Sequence, residues 1–264
     1  ARPSGTMRIL YIHNLTNAVL RRVTLQNGYT TEAYGWGAGL YVGSATGVVI
    51  SACRIVNNTT RQGGATTEGA AGIYSTAGFV LMSNCVVQAN ASSGAYGYGG
   101  LGGGVYLTGG GWTFVDSVIA GNAMSAGSSG KGGGLYCAAS TNEIRNCVFG
   151  ANAAYDGAGL YVASGLVNVR NSTIVGNFGQ GVSRAGGTLN VTDSILWGNG
   201  DDVTGTVALA YCSIEDGDSN GVNGCISAEP RFERGLYLAA DSLCVNAGSA
   251  SAASLGLAGY TTRA

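Results

Sequence analysis

Fourteen acidic residues, 13 Lys or Arg and a single histidine, His13, make up the whole supply of charged chemistry in 264 residues. Hydrolysis of a glycosidic bond needs two carboxylates at a defined separation. A lyase needs a base beside an Arg, Lys or metal that neutralises the uronate. Neither grouping stands out in the chain. Asp116 and Asp193 fall at equivalent repeat positions three units apart, and the adjacent Asp201 and Asp202 have no basic neighbour in the pattern. His13 reads as a rim residue of the first unit rather than a general base, and Lys131 is the only lysine.

Three other sets of side chains could carry chemistry. Of seven cysteines, Cys53, Cys85, Cys147 and Cys212 share one repeat slot with Ser117, Ser172 and Ser194, which suits small buried side chains. Cys137 falls in an inward column with Val42, Leu107 and Val162. Cys225 and Cys244 lie outside the repeat, and a disulfide between them would tie down a terminal segment with little core, in keeping with an oxidising compartment. No CxxC pair or His-bearing cluster suggests zinc. Asp216-Gly-Asp218-Ser-Asn220-Gly221 opens like a calcium loop, in which alternate oxygens converge, but Ser227 stands where a full loop carries its bidentate Glu. Ca2+ binding and a plain Asx-rich connection both fit it. Finally, Tyr41, Tyr74, Tyr106, Tyr136 and Tyr161 each follow an inward apolar residue, so alternation points them outward. They form either a surface stripe able to stack sugar rings or a self-stacked ladder covered by loops 59–71, 91–103 and 123–133.

The elements that position these residues are repeats. Gly-x-Tyr blocks at 39–41, 72–74, 104–106, 134–136 and 159–161, with a weaker copy at Gly181-Val182-Ser183, alternate with blocks that close on Asn58, Asn90, Asn122, Asn152, Asn177 and Asn199. Divergent copies at either end put Gly28 and Gly217 in the Asn slot, which makes eight units whose length shrinks from 30–32 residues to 18. Three residues before the Cys/Ser slot stand Leu20, Ile50, Met82, Phe114, Ile144, Val169, Val191 and Leu209; two after it stand Leu25, Ile55, Val87, Ile119, Phe149, Ile174, Leu196 and Ile214. All sixteen are apolar. Strands of four to six residues broken by Gly, Asn and Asp, and stacked about 4.8 Å apart, bury such columns continuously. Asn84, Asp116, Asn146, Asn171 and Asp193 precede the slot, where a bend would use the left-handed conformation that Asx residues tolerate. The closing asparagines predict a structural ladder of amides bonded coil to coil.

Composition supports an ordered, all-β chain. Forty-seven Gly with 2 Pro and 45% hydrophobic residues suits repeated turns better than disorder. A net charge of −1 gives no field for nucleic acid. No apolar run approaches the roughly 18 residues of a membrane span, so direct insertion is not expected. The chain opens already in pattern, as a processed or trimmed form would.

The Gly-Gly-Leu-Tyr blocks followed by blocks such as Phe149-Gly-Ala-Asn152 resemble the GGxI/FxxN repeats of polymorphic outer-membrane and autotransporter passenger proteins. The stretch Cys225-Ile-Ser-Ala-Glu-Pro-Arg-Phe232, then Tyr237-Leu238, Asp241 to Gly248 and Gly256 to Gly259, is similar to the end of bacterial choice-of-anchor β-helix proteins. The resemblance implies a right-handed single-stranded parallel β-helix, secretion and cell-surface display, and no defined activity. The expectation is thus an all-β solenoid over 1–217 with a capping segment over 218–264. It is a non-catalytic extracellular or cell-surface scaffold, adhesin or assembly unit, requiring no cofactor and with Ca2+ the one candidate ion. Its partner is another copy or an extracellular polysaccharide. The competing expectation is a polysaccharide-binding or polysaccharide-degrading module that uses the Tyr face.

Overall fold

The computed structural model describes residues 6–31, 35–61, 69–76, 78–93, 100–125, 129–251 and 253–255. Eight coils each give one strand to each of three eight-stranded parallel sheets. The first sheet runs from Leu10–His13 to Asp201–Thr204, the second from Val19–Arg21 to Ala208–Ala210, and the third from Thr24–Gln26 to Ser213–Ile214. A shorter fourth sheet stacks Tyr29–Thr30, Thr59–Arg61, Ala91–Ser93 and Ala123–Ser125. This is the expected parallel β-helix with its expected coil count.

Both apolar columns stand in register. Leu20, Ile50, Met82, Phe114, Ile144, Val169, Val191 and Leu209 pair in sequence along the second sheet. Leu25 through Ile214 do the same along the third. Nearly all are closed to solvent, and they form one continuous core from Ile12 to Cys225. No single three-residue strand could hide its apolar face; each is covered by the coil above and the coil below.

The corner between the second and third sheets is one left-handed residue per coil. Asn84, Asp116, Asn146, Asn171 and Asp193 take it as expected, with φ of 49–51°, and Arg22, Ala52 and Tyr211 take it too. The Cys/Ser slot that follows explains its own composition. Cys85 N donates to Ser117 Oγ at 3.1 Å, Cys147 N to Ser172 Oγ at 3.1 Å, and Cys53 N to Cys85 Sγ at 3.3 Å. A small side chain with a lone pair closes a backbone donor that the tight corner would otherwise strand.

The Asn ladder is fully built, buried from Asn58 to Asn177 and half-buried at Asn199. Asn90 Nδ2 donates to Asn122 Oδ1 at 2.9 Å and Asn122 Nδ2 to Asn152 Oδ1 at 3.0 Å, while the same oxygens accept the backbone N–H of Asn90 and Asn122. Each amide also donates to a carbonyl of the preceding coil, as Asn122 does to Val87 at 2.9 Å. The two repeated blocks prove to be halves of one contact. Gly104, the glycine of a Gly-x-Tyr block, crosses directly over the Asn122 amide, and a Cβ there would lie 2.9 Å from Asn122 Cγ. The ladder therefore requires glycine opposite it, which is why the blocks recur together.

Cys225 is not outside the repeat: Ser213 pairs in parallel with Ile226, and Ile226 N donates to Cys212 O at 2.8 Å. Cys225 thus extends the Cys/Ser column past Cys212 as a partial ninth rung, and it is buried. All seven cysteines are free thiols, so the expected Cys225–Cys244 disulfide is corrected. Stacking draws Cys225 inward beneath Cys212, while Cys244 is held in a later turn with its Sγ 3.6 Å from Ala228 O. A two-stranded antiparallel hairpin, Phe232–Glu233 with Tyr237–Leu238, follows. Gly256 to Gly259 lie outside the described residues. At the opposite end, Met7 and Tyr29 form an antiparallel bridge that covers the first strand of the fourth sheet.

Candidate functional site

The tyrosine column is real, and longer than the repeat suggested. Tyr11 pairs with Tyr41, which pairs with Tyr74, and ring centroids from Tyr11 to Tyr161 lie 4.7–5.5 Å apart. It is not an open stripe. Tyr74, Tyr106, Tyr136 and Tyr161 are 2–8% exposed, packed with Ala70, Trp36 and Leu101. The Lys131 ammonium lies 5.0 Å above Tyr161, and the Arg8 guanidinium 5.1 Å from Tyr41. The expected sugar-stacking role of these four rings is therefore corrected; only half-buried Tyr41 and exposed Tyr11 reach solvent. His13 stacks on Tyr11 at 5.4 Å, at the rim as expected.

The acidic loop is rearranged relative to the sequence pattern. Asp216 and Asp218 converge with Asp201 of the first sheet, one carboxylate oxygen of each lying within 4.8 Å of the others, and all three are exposed. Asn220 follows in the next turn of the loop. Its backbone N–H closes a turn on Gly217 O. Desolvation raises the Asp218 carboxyl above its ordinary range, with Asp216 and Asp201 adding to the effect. Asp202, beside this cluster, has a different task. It is buried and accepts Asn199 Nδ2 at 2.7 Å, so it ends the Asn ladder where Gly217 replaces the next Asn. Burial, the largest cause, raises its pKa.

The same physics raises four of the thiols. Burial pushes Cys147 and Cys212 up to about 12 and Cys85 up to about 11, and it raises Cys137 as well. A nucleophilic thiol needs the opposite shift.

The face left open is the outside of the second sheet. Reading across its register, Val19, Val49, Leu81, Thr113, Glu143, Asn168 and Asn190 form one outward column, and Ser51, Ser83, Val115, Arg145, Arg170 and Thr192 form the next. A shallow groove crosses this face from Val49, Phe79 and Leu81 to Thr141 and Glu143. Phe79 is 69% exposed and its ring lies over Gly111, where a Cβ would come within 3.0 Å of it. Glu143 Oε1 accepts Asn168 Nδ2 at 2.5 Å, and Asn168 Oδ1 accepts Asn190 Nδ2 at 2.8 Å. Arg145 and Arg170 are exposed and directly in register on adjacent coils. Among the described residues neither guanidinium makes an ion pair or a side-chain hydrogen bond. No motif in the sequence marks this face. The signal was present one residue before the apolar column, where Thr113, Glu143, Asn168 and Asn190 are polar in succession.

A family model described as the right-handed β-helix region matches residues 8–196. The chain belongs to this family of right-handed β-helices. No curated protein and no solved structure matches it significantly.

Proposed function

We propose that this chain is a non-catalytic β-helix of the extracellular space or cell surface, serving as a scaffold, adhesin or assembly unit. The observation that carries the reading is where its reactive residue types go. Five ladder asparagines, four tyrosines and six of the seven cysteines are buried inside the coils, where they bond to or pack against other groups of the protein rather than face solvent. Residues spent in this way build a rod with flat sides, which is what display and lateral contact require. A calcium ion held by Asp201, Asp216 and Asp218 belongs to the same reading as a support for the last turn, not as a reactive centre.

The test is incubation with a panel of acidic and neutral polysaccharides, followed by an assay of new reducing ends. The reading expects none above the buffer control. Release that scales with protein and time would overturn it.

A further inference from the structure

We infer that the outer face of the second sheet binds an acidic polysaccharide, laid obliquely across the coils from Phe79 past Glu143 to the Arg145–Arg170 pair. This deepens the proposed function, and it rests on that reading only for the compartment in which such a polymer is met.

Arg145 and Arg170 stand in register on neighbouring coils, so their Cα atoms are separated by about the 4.8 Å of a strand repeat. Like charges placed directly opposite repel, and here no described acid relieves them. Glu143 is two residues from Arg145 on the same outward face, but one of its oxygens is engaged by Asn168. The two forks are left aimed at solvent, where a carboxylate or sulfate on a bound chain would sit between them in the geometry guanidinium prefers.

The neighbouring column supplies what sugar hydroxyls need. The amides of Asn190 and Asn168 hand their donors along the axis toward Glu143. That relay leaves the Asn190 carbonyl and the second Glu143 oxygen as acceptors for hydroxyl donors. Phe79, exposed beside Gly111 at the far end of the groove, offers the apolar surface on which a pyranose ring stacks. Recognition groups recur at the coil spacing, which is close to the length of one sugar residue in an extended polymer. A nucleic acid would meet too little positive charge here, because Glu143 lies mid-face and the chain carries a net −1. A polymer with sparse anions and many hydroxyls matches two arginines, two amides and one carboxylate.

The test is affinity gel electrophoresis of the full chain in gels containing polygalacturonate, a sulfated glycan or neutral dextran. Wild type should be retarded by one or both acidic polymers and not by dextran. The Arg145→Ala/Arg170→Ala double variant should bind about tenfold more weakly, as expected when charge-assisted hydrogen bonds are lost, with an unchanged melting temperature. Glu143→Gln should bind the acidic polymer more tightly, because it removes a like charge. Arg54→Ala, which removes the same charge from the third sheet, is the control and should bind as wild type. Absence of retardation by both acidic polymers, equal retardation by dextran, a silent double variant, or an equal loss in Arg54→Ala would each overturn the inference. Shortening of the polymer would instead refute the non-catalytic reading, and retardation would still decide the binding.

Discussion

Asn58 to Asn199 on the inside and Asn168 with Asn190 on the outside are stacked at the same coil spacing, on the same solenoid, through the same amide group. Inside, every amide donates twice and accepts at least once, and glycine backbone closes over it. Outside, the relay ends on Glu143 and leaves acceptors facing water beside two unpaired guanidiniums. A repeated polar residue is therefore not by itself a sign of binding. What distinguishes a structural ladder from a recognition surface is whether its hydrogen-bonding capacity is closed within the protein. The tyrosine column falls on the structural side for a different reason, the burial of Tyr74, Tyr106, Tyr136 and Tyr161 against one another and their apolar neighbours.

The comparison can be broken most forcefully from the inside. Asn122→Ala should strand Asn90 donors and the Val87 carbonyl in a dry interior, at about 1–3 kcal/mol for each group left unpaired. Chemical denaturation should show several kcal/mol of destabilisation, or separate melting of the coils on either side. Asn168→Ala on the outer face should cost no more than about 0.5 kcal/mol, since water replaces what is lost. If the two variants cost the same, the distinction between ladders fails.

A smaller effect concerns the acidic end. The Asp218 and Asp202 carboxyls are held above their ordinary values, chiefly by desolvation. A raised carboxylate contributes stability below its unfolded pKa, and that contribution is lost as pH rises through the folded pKa. Thermal melting should therefore favour mildly acidic over neutral pH for the last coils, with the preference reduced in Asp218→Asn. Ca2+ at neutral pH should stabilise wild type and not Asp216→Asn.

Much of the architecture was legible in the chain because period-two alternation and a recurring slot place the sixteen apolar residues without knowledge of any loop. The asparagine ladder was legible for the same reason. The burial of Tyr74, Tyr106, Tyr136 and Tyr161 was not, since the position three residues before the block glycine, which supplies Trp36 and Leu101 against the rings, holds Lys131 and Asp156 in other coils and so has no constant character to read. Asp202 as the end of the ladder was hidden because the slot it serves holds Gly217, and the carboxylate arrives from a different strand. Cys225 escaped because its partial rung follows Cys212 after a shorter interval than any full coil. The outward Glu143, Asn168 and Asn190 column was readable in principle. Attention to the apolar register, however, passes over the residue beside it.

The most direct test of the central claim, a non-catalytic rod that presents a recognition face, is size-exclusion chromatography with light scattering on mixtures of the protein with acidic and neutral polysaccharides. The expected result is co-elution with an acidic polymer whose own molar mass stays constant, and separate elution from a neutral one. A falling polymer mass would contradict the non-catalytic claim, and separate elution from every acidic polymer would contradict the recognition face.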